Sequence, residues 1–239
     1  MDTLLEGFFQ AFLLIAHMDR ELWGIIWLSC KVSGSALLIA TLAGLPLGAL
    51  MGLKRFPLKE AGLSLMHTFM GLPPVVVGLF LYLFLSRQGP LGFFGLLYTP
   101  SAMILAQTIL AFPIVVSLSQ AAIVKVDPVV RLAARSLGAT PLQESVTVIK
   151  EARYGIMVGV VAALGRVMAE VGAIIIVGGN IAGYTRVMTT TIALETDKGN
   201  FALAMALGII LLSLSLLINL ALRRVQKMGQ AASGVILWD

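Results

Sequence analysis

Long apolar stretches set the strongest limit on the fold of this chain. A helix that crosses the hydrocarbon core of a bilayer needs about 20 predominantly apolar residues. Five stretches meet this requirement, at residues 23–53, 61–86, 101–124, 156–177 and 201–222. A sixth, residues 4–17, is shorter, and we interpret it as a tilted crossing, with an interfacial helix as the alternative. The sequence predicts an all-α, polytopic transmembrane helical bundle of five or six spans.

Composition excludes several other classes of protein. Hydrophobic residues make up 59 % and charged residues 12 % of the chain, against about 45–50 % and 25 % in an average soluble domain. The net charge of +5 comes with no recurring basic face, so we expect the lipid bilayer and no nucleic acid as a partner. The single cysteine, Cys30, lies in an apolar run, and no Cys/His cluster has metal-ligand spacing. We predict no metal site and no cofactor in this chain.

Basic residues predict the orientation, because they concentrate on the cytoplasmic side of membrane proteins. One set of polar segments holds eleven of them: Lys54, Arg55, Lys59, Lys125, Arg131, Arg135, Lys150, Arg153, Arg223, Arg224 and Lys227. The opposite set holds four: Arg20, Arg87, Arg186 and Lys198. The first set is therefore predicted to be cytoplasmic, which leaves residues 87–100 and 181–200 outside.

The same patterns predict how the chain is divided. Residues 1–22 form a short or peripheral N-terminal helix, residues 23–225 the transmembrane domain, and residues 226–239 a cytoplasmic tail.

The longest polar stretch, residues 126–154, is predicted to form a helix, a tight turn and a second helix. Asp127 is a good N-cap for the first helix, and Gly138 suits the left-handed residue that ends it. Thr140 and Gln143 have the spacing of a capping box that begins the second helix.

This first cytoplasmic helix has the features of a docking element. Ala133 and Ala134 are small enough to let another surface come close, and Arg131 and Arg135 are displaced from its apolar positions. The alternatives are an ordinary connecting loop or a DNA-reading helix-turn-helix. The adjacent membrane spans argue against the latter.

Residues 132–140 read LAARSLGAT, which resembles the "EAA" loop in the membrane subunits of binding-protein-dependent ABC importers. That loop has the pattern Glu-Ala-Ala, three residues, Gly, and later Ile-x-Leu-Pro. The two Ala and the Gly match in spacing, but Leu132 replaces the Glu and the later motif reads VIKE at residues 148–151. No contact of the family's Glu or Pro is therefore transferred to this chain.

Other segments are similar to the molybdate/sulfate/tungstate branch of that family. They are GLPPVVVG at 71–78, RQGPLG at 87–92, GRVMAEVGA at 165–173, GGNI at 178–181 and TR at 185–186. The run MTTT at 188–191 resembles the tungstate-specific members in particular. The resemblance extends over residues 23–224.

The resemblance implies a permease subunit of an ATP-driven importer, in the cytoplasmic membrane of a bacterium or archaeon. By alternating access it would translocate a tetrahedral oxyanion: tungstate first, with molybdate or sulfate as alternatives. The implied partners are a second copy of itself, two ATP-binding subunits and an extracytoplasmic solute-binding protein. The implied coupling residues are Asp127, Arg131, Ala133, Ala134, Arg135, Gly138 and Thr140. The chain has no Gly-x-x-x-x-Gly-Lys-Ser/Thr loop, so we expect ATP hydrolysis in another subunit and no catalytic residue here.

Ionisable residues inside a membrane are costly and usually face a bundle interior or a wet cavity. Arg166 and Glu170 lie four apart in one predicted span, hence on one helix face, and we predict a mutual ion pair. The pair either fixes helix packing or lets Arg166 contribute to the anion path.

Helix breakers supply the remaining candidates for the translocation path or gate. Pro73 and Pro74 are predicted to interrupt the second strong span, and Pro46 and Pro113 to interrupt its neighbours. Gly178 and Gly179 are further candidates, because they permit either a close helix contact or an unwound helix end. Thr189 and Thr190 are two more: they contact the anion or the delivering protein, or they simply begin a helix. Asn180 is predicted to cap the unwound end.

Two other classes of function fit the sequence less well. An ion-coupled secondary transporter usually has inverted repeats and more intramembrane acids, and the sequence has neither. An intramembrane enzyme would need a catalytic set in the spans, whereas His17 and His67 stand alone.

Overall fold

The computed structural model describes residue 13 and residues 20–232, with side chains described as far as Arg224 except at position 222. This part of the chain is all-helical. Its α-helices are α1 (Arg20–Leu53), α2 (Lys59–Met70), α3 (Pro74–Leu85), α4 (Pro100–Val124), α5 (Pro128–Ser136), α6 (Pro141–Met168), α7 (Gly172–Gly178), α8 (Met188–Asp197) and α9 (Phe201–Ala232). A short 3-10 turn, Gly92–Phe94, lies between α3 and α4.

Three helices in this part of the chain are long and apolar enough to cross a membrane: α1, α4 and the Phe201–Ala221 part of α9. Two helix pairs also qualify if each is one bent span. The α2–α3 pair bends by 99° and the α6–α7 pair by 57°. The five strong predicted spans therefore correspond to three continuous helices and two broken ones. The sixth predicted span, residues 4–17, lies outside the described residues, and the predicted division at residue 225 falls within α9 and stays a prediction.

Proline breaks one helix but not two others. Pro73 and Pro74 begin α3 after the break, as predicted. The prediction that Pro46 and Pro113 interrupt their helices is wrong, because α1 and α4 run through them. Membrane helices tolerate proline where neighbouring helices and local adjustments satisfy the freed backbone carbonyl, and Pro113 is buried in the bundle.

Helix α4 is the centre of the bundle, with α1 and α6 packed on it at glycines. A Cβ at Gly48 would lie 2.7 Å from the Val116 carbonyl oxygen, and one at Gly159 would lie 2.7 Å from Leu118 Cβ. Gly44, Gly52 and Gly155 make similarly close approaches to α4. Because glycine places no side chain at these positions, α1 and α6 approach α4 more closely than a residue with a Cβ would allow.

The outer halves of the two broken spans form a second unit. A Cβ at Gly78 of α3 would lie 2.9 Å from the Ala173 Cα of α7, and one at Gly172 would lie 2.9 Å from Val75 Cγ2. These two contacts place the beginnings of α3 and α7 side by side, so the two helices run parallel. Buried side chains including Val77, Met103 and Val177 join this unit to α4.

Candidate functional site

The corner predicted to be cytoplasmic begins with α5, which has the predicted caps. Asp127 Oδ1 accepts a hydrogen bond from the Val129 N–H at 2.8 Å, which satisfies one of the free amides at the helix start. Gly138 has a φ of +80°, a left-handed conformation that glycine adopts without a Cβ penalty. Helix α5 therefore ends in the tight turn predicted from Gly138.

Helix α6 begins with the predicted capping box. The Gln143 side chain accepts from the Thr140 N–H at 2.8 Å, and Thr140 Oγ1 accepts from the Gln143 N–H at 3.4 Å. From this corner α6 continues without interruption to Met168. At 1.5 Å per residue, its 28 residues span about 42 Å, so one rigid element joins the cytoplasmic corner to the helix break inside the membrane.

The apolar face of α5 is uncovered. Val129 and Leu132 are each 63 % exposed, and Leu137, which follows the helix, is 87 % exposed. No residue of α5 is buried. Ala133 is exposed beside this face, and Ala134 and Arg131 are half-buried. A short helix with an apolar side left in contact with solvent is suited to covering by another protein.

A bidentate ion pair holds α5 against α6. Arg135 Nε and Nη2 donate to the two carboxylate oxygens of Glu144 at 2.8 and 3.1 Å. This hydrogen bonding lowers the pKa of Glu144 below its ordinary value and raises that of Arg135. Glu144 was not among the residues selected from the sequence. It lies nine positions from Arg135, across a turn, and so outside the helical spacings that identify such pairs.

The predicted ion pair between Arg166 and Glu170 is wrong. Helix α6 ends at Met168, so the two residues are not on one helix face. Glu170 is 4 % exposed and its Oε1 accepts from the Ala173 N–H at 3.1 Å, at the start of α7. The carboxylate thus satisfies the backbone of the next helix in place of the arginine.

Arg166 connects the two helix breaks. Its Nη2 donates to the Leu72 carbonyl oxygen, next to Pro73, at 3.4 Å. Its Nε is buried without a hydrogen-bond partner, and no carboxylate in the described part of the chain forms a salt bridge with it. A guanidinium carries five N–H donors, so most of the donor capacity of Arg166 is unused. The structure therefore brings together three of the predicted path candidates, Pro73, Pro74 and Arg166.

The remaining path candidates lie around α7: Gly178, Gly179, Asn180 and Thr190 at its end, and Thr189 near its start. Gly179 and Asn180 turn the chain with φ values of +70° and +49°. Asn180 Oδ1 accepts from Thr190 Oγ1 at 2.9 Å, and Thr189 Oγ1 donates to the Glu170 carbonyl oxygen at 2.8 Å. Both threonines lie in the first turn of α8, and their hydroxyls are engaged within the fold. A direct contact between either hydroxyl and an anion would require these bonds to rearrange.

Two polar residues that support this region were not among the path candidates predicted from the sequence. Gln107 of α4 is 1 % exposed and its Nε2 donates to the Val167 carbonyl oxygen, at the end of α6, at 2.8 Å. Thr185 Oγ1 donates to the Gly178 carbonyl oxygen at 2.6 Å and accepts from the Ile181 N–H at 2.9 Å. Gln107 lies in an otherwise apolar run, which is the sequence signal that could have identified it.

Comparison with known proteins places these features in one family. Residues 44–228, well over half of the chain, match the family model described as "Binding-protein-dependent transport system inner membrane component". The tungstate uptake system permease protein TupB of Peptoclostridium acidaminophilum is 40 % identical over 227 residues, covering 95 % of this chain and all of that protein. A probable anion ABC transporter permease protein of Haloferax volcanii is 46 % identical over 196 residues, covering 80 % of this chain and 84 % of that one.

Solved structures share the fold. A chain of the MetNI methionine ABC transporter, in an inward-facing conformation, matches with a TM-score of 0.72 and 20 % identity. The match covers 88 % of this chain and 97 % of that one. At this identity the likeness concerns the fold alone. The family match and the identity to these permeases show that the chain belongs to the inner membrane components of binding-protein-dependent transport systems, the multi-pass permease subunits of ABC importers.

Proposed function

We propose that this permease imports a tetrahedral oxyanion, and that the oxyanion is tungstate, with molybdate or sulfate as alternatives. The support is the 40 % identity to a tungstate uptake permease over its full length, together with the 46 % identity to a probable anion permease. Family membership weighs against the ion-coupled secondary transporter considered from the sequence. A transporter of this family also contains ATP-hydrolysing subunits and a solute-binding protein.

The uncovered apolar face of α5 carries the proposal for how the permease is driven. The exposed Val129, Leu132 and Leu137 offer a surface that an ATP-binding subunit would cover, with exposed Ala133 allowing close approach. Two such subunits, one on each copy of a permease homodimer, are the proposed stoichiometry. ATP draws these subunits together, and α5 moves with the subunit that binds it.

The continuous helix α6 gives that movement a route into the membrane. Because α6 runs unbroken from Pro141 to Met168, displacement of the α5–α6 corner displaces the helix break, where Arg166 donates to Leu72. The permease would then alternate between outward-open and inward-open states around the broken spans. The oxyanion enters from the binding protein in the first state and leaves in the second, after ATP hydrolysis.

Arg166 is proposed to contact the oxyanion as it passes the breaks. Its free N–H groups suit tetrahedral oxygen acceptors, and Glu170 leaves the arginine available because its carboxylate binds the Ala173 amide. A single arginine held by one long hydrogen bond can bind and also release an anion, as a path requires.

Coupling is tested by placing a bulky side chain in the α5 face. We expect Ala133→Trp to reduce retention of the ATPase subunit by roughly tenfold or more, because a misfit of about 1.4 kcal/mol in a packed interface is a factor of ten. ATP-dependent uptake of tungstate into proteoliposomes should fall in parallel. Retention is measured by co-purification of the complex from membranes.

Leu220→Trp provides the matched control, because it adds the same side chain at an exposed position of α9. This variant should retain the ATPase subunit and transport normally. Normal retention and uptake in Ala133→Trp would contradict the coupling role of α5. Uptake of tungstate by the permease alone, driven by a proton or sodium gradient, would contradict the proposed function as a whole.

A further inference from the structure

An open pocket of about 780 Å³ lies at the end of α3, on the side of the chain that carries few basic residues. Its polar lining comes from Tyr82, Ser86, Arg87, Gln88 and Tyr98. No acidic residue of the described part of the chain lines it. The volume is several times that of a tetrahedral oxyanion, so a hydrated anion would fit within it.

Arg87 gives the pocket a positive field that no acidic side chain of the neighbouring sequence offsets. Between residues 61 and 124, which include α3, the following loop and α4, Arg87 is the only Lys, Arg, Asp or Glu. Arg87 is exposed and forms no salt bridge in the described part of the chain. Its charge is therefore available to a ligand.

The loop that presents Arg87 is tightly folded. The Gly89 N–H donates to the Ser86 carbonyl at 2.8 Å, and the Leu91 N–H donates back to Phe84 at 2.9 Å. At Gly89 and Gly92 a Cβ would lie closer than 2.5 Å to backbone carbonyl oxygens, so only glycine allows this close return of the chain. The backbone that carries the Arg87 guanidinium is therefore held in one conformation.

Tyr98 also lines the pocket, and its backbone is held in a sparsely populated conformation. Tyr98 has a φ of +61°, which costs a bulky residue of order 1–3 kcal/mol. Its N–H donates to the Val177 carbonyl of α7 at 2.8 Å, and its ring packs against the position of Gly179. The Tyr82 and Tyr98 rings meet edge to face with centroids 6.5 Å apart. The surrounding structure therefore fixes both tyrosines beside Arg87.

We propose that this pocket is an outer binding site for a tetrahedral oxyanion, with Arg87 as the charged contact and the Tyr82, Tyr98 and Gln88 side chains as hydrogen-bond donors. The proposal rests on the proposed function for the identity of the dissolved anion. The phosphate of a lipid headgroup has the same chemistry and is the other source of such a ligand. A wide pocket with one cation holds an anion weakly, which suits a site that must pass its ligand on.

The test measures protection of a thiol placed in the pocket. Gln88→Cys is introduced together with Cys30→Ser into the complete transporter in a phosphate-free detergent, and its reaction with uncharged N-ethylmaleimide is timed. Sodium tungstate should slow the reaction roughly three- to tenfold relative to sodium chloride at equal ionic strength, as expected for a screened dianion–cation contact. Ser86→Cys provides a second reporter in case the first variant fails to fold.

Charge variants identify Arg87 as the cause of the protection. Arg87→Lys should keep most of it, and Arg87→Gln should abolish it. Arg20→Gln removes one exposed positive charge at the start of α1, outside the pocket lining, and should leave the protection unchanged. Each variant is compared with itself, with and without tungstate, so that changes in the reactivity of the thiol cancel.

A repeat in phosphatidylcholine nanodiscs separates the two sources of oxyanion. If a headgroup phosphate occupies the pocket, the thiol reacts slowly from the outset and tungstate adds nothing; if the dissolved anion binds, tungstate protects in both media. A fast reaction in both media that tungstate never slows, or equal protection in Arg87→Gln, overturns the proposal. ATP-dependent uptake of tungstate by the same transporter without these substitutions tests the proposed function separately. Uptake without protection of the thiol would reject only the proposed binding site. Protection without uptake would reject only the proposed function.

Discussion

At the scale of single residues, the bundle depends on positions where a side chain is missing. Gly34 and Gly48 both lie within α1, about four helical turns apart. A Cβ at Gly48 would lie 2.7 Å from a backbone carbonyl oxygen of α4, whereas a Cβ at Gly34 would have nothing within 4 Å. The same amino acid therefore has a packing role at one position and none at the other.

This difference predicts opposite effects of one substitution. Gly48→Ala should destabilise the permease by about 1–3 kcal/mol, because the backbones of α1 and α4 must move apart. Gly34→Ala should be neutral or stabilising by up to about 1 kcal/mol, because alanine favours the helix. Thermal unfolding of the purified protein measures both. Equal stability of the two variants would contradict the close packing of α1 on α4.

Arg166 illustrates what residue spacing can and cannot predict. The sequence identifies Arg166 and Glu170 as candidates because charges are rare in apolar runs, and their role in transport stays a prediction. It wrongly indicates an ion pair, because the i, i+4 rule assumes a helix that continues, and α6 ends at Met168. No proline marks that ending. It depends on bonds from distant residues, such as Gln107 to Val167 and Thr189 to Glu170.

At the scale of elements, the α5–α6 corner is fixed by local chemistry and could be predicted almost completely. Asp127, Gly138 and the Thr140–Gln143 capping box act within a few residues of their own position, so the sequence contains the whole interaction. The Arg135–Glu144 pair crosses the turn and was missed. The bend of 57° between α6 and α7 could not be predicted, because tertiary contacts determine it.

The ion pair at this corner predicts a loss of local stability in acid. Because the Arg135 hydrogen bonds lower the pKa of Glu144 in the folded state, the pair stabilises the corner above the ordinary pKa of glutamate, about 4.3. That stabilisation is lost as the pH falls through the lowered pKa. We expect hydrogen exchange at the Gly138 and Ala139 amides to lose protection below about pH 4.

Substitution of the acid separates this effect from general acid unfolding. In Glu144→Gln the same amides should be less protected at neutral pH and should show no additional loss in the acid range. Glu151→Gln removes an exposed acid of α6 that forms no salt bridge within the described residues, and it should behave like the unmodified protein. An unchanged acid transition in Glu144→Gln would argue against the pair.

At the scale of the whole molecule, the fold class and orientation follow from hydropathy and the distribution of basic residues. The sequence indicates five strong spans, and the structure divides them into three continuous helices and two broken ones. The broken spans matter most for function, since their outer halves α3 and α7 pack on each other at Gly78 and Gly172. That pairing joins residues about a hundred positions apart, so one sequence read locally cannot indicate it.

Orientation can be tested with two introduced thiols in a Cys30→Ser background. Ser136→Cys, in the exposed last turn of α5, should react with a membrane-impermeant maleimide only after the cells are permeabilised. Gln88→Cys, in the loop after α3, should react in intact cells. Reaction of the α5 thiol in intact cells would place this helix outside and contradict a role in coupling to ATP hydrolysis.

The glycine contacts on both sides of α4 have a mechanical consequence. Helices packed this closely cannot slide past one another without first separating, so α1, α4 and α6 are expected to move together as one rigid unit. The α3–α7 unit contacts α4 through side chains, such as Met103 against Gly178. Because a side chain such as that of Met103 can change rotamer, this contact allows more movement. A displacement transmitted along α6 would therefore bend the chain at the junction after Met168, and we expect the hinge of the permease there.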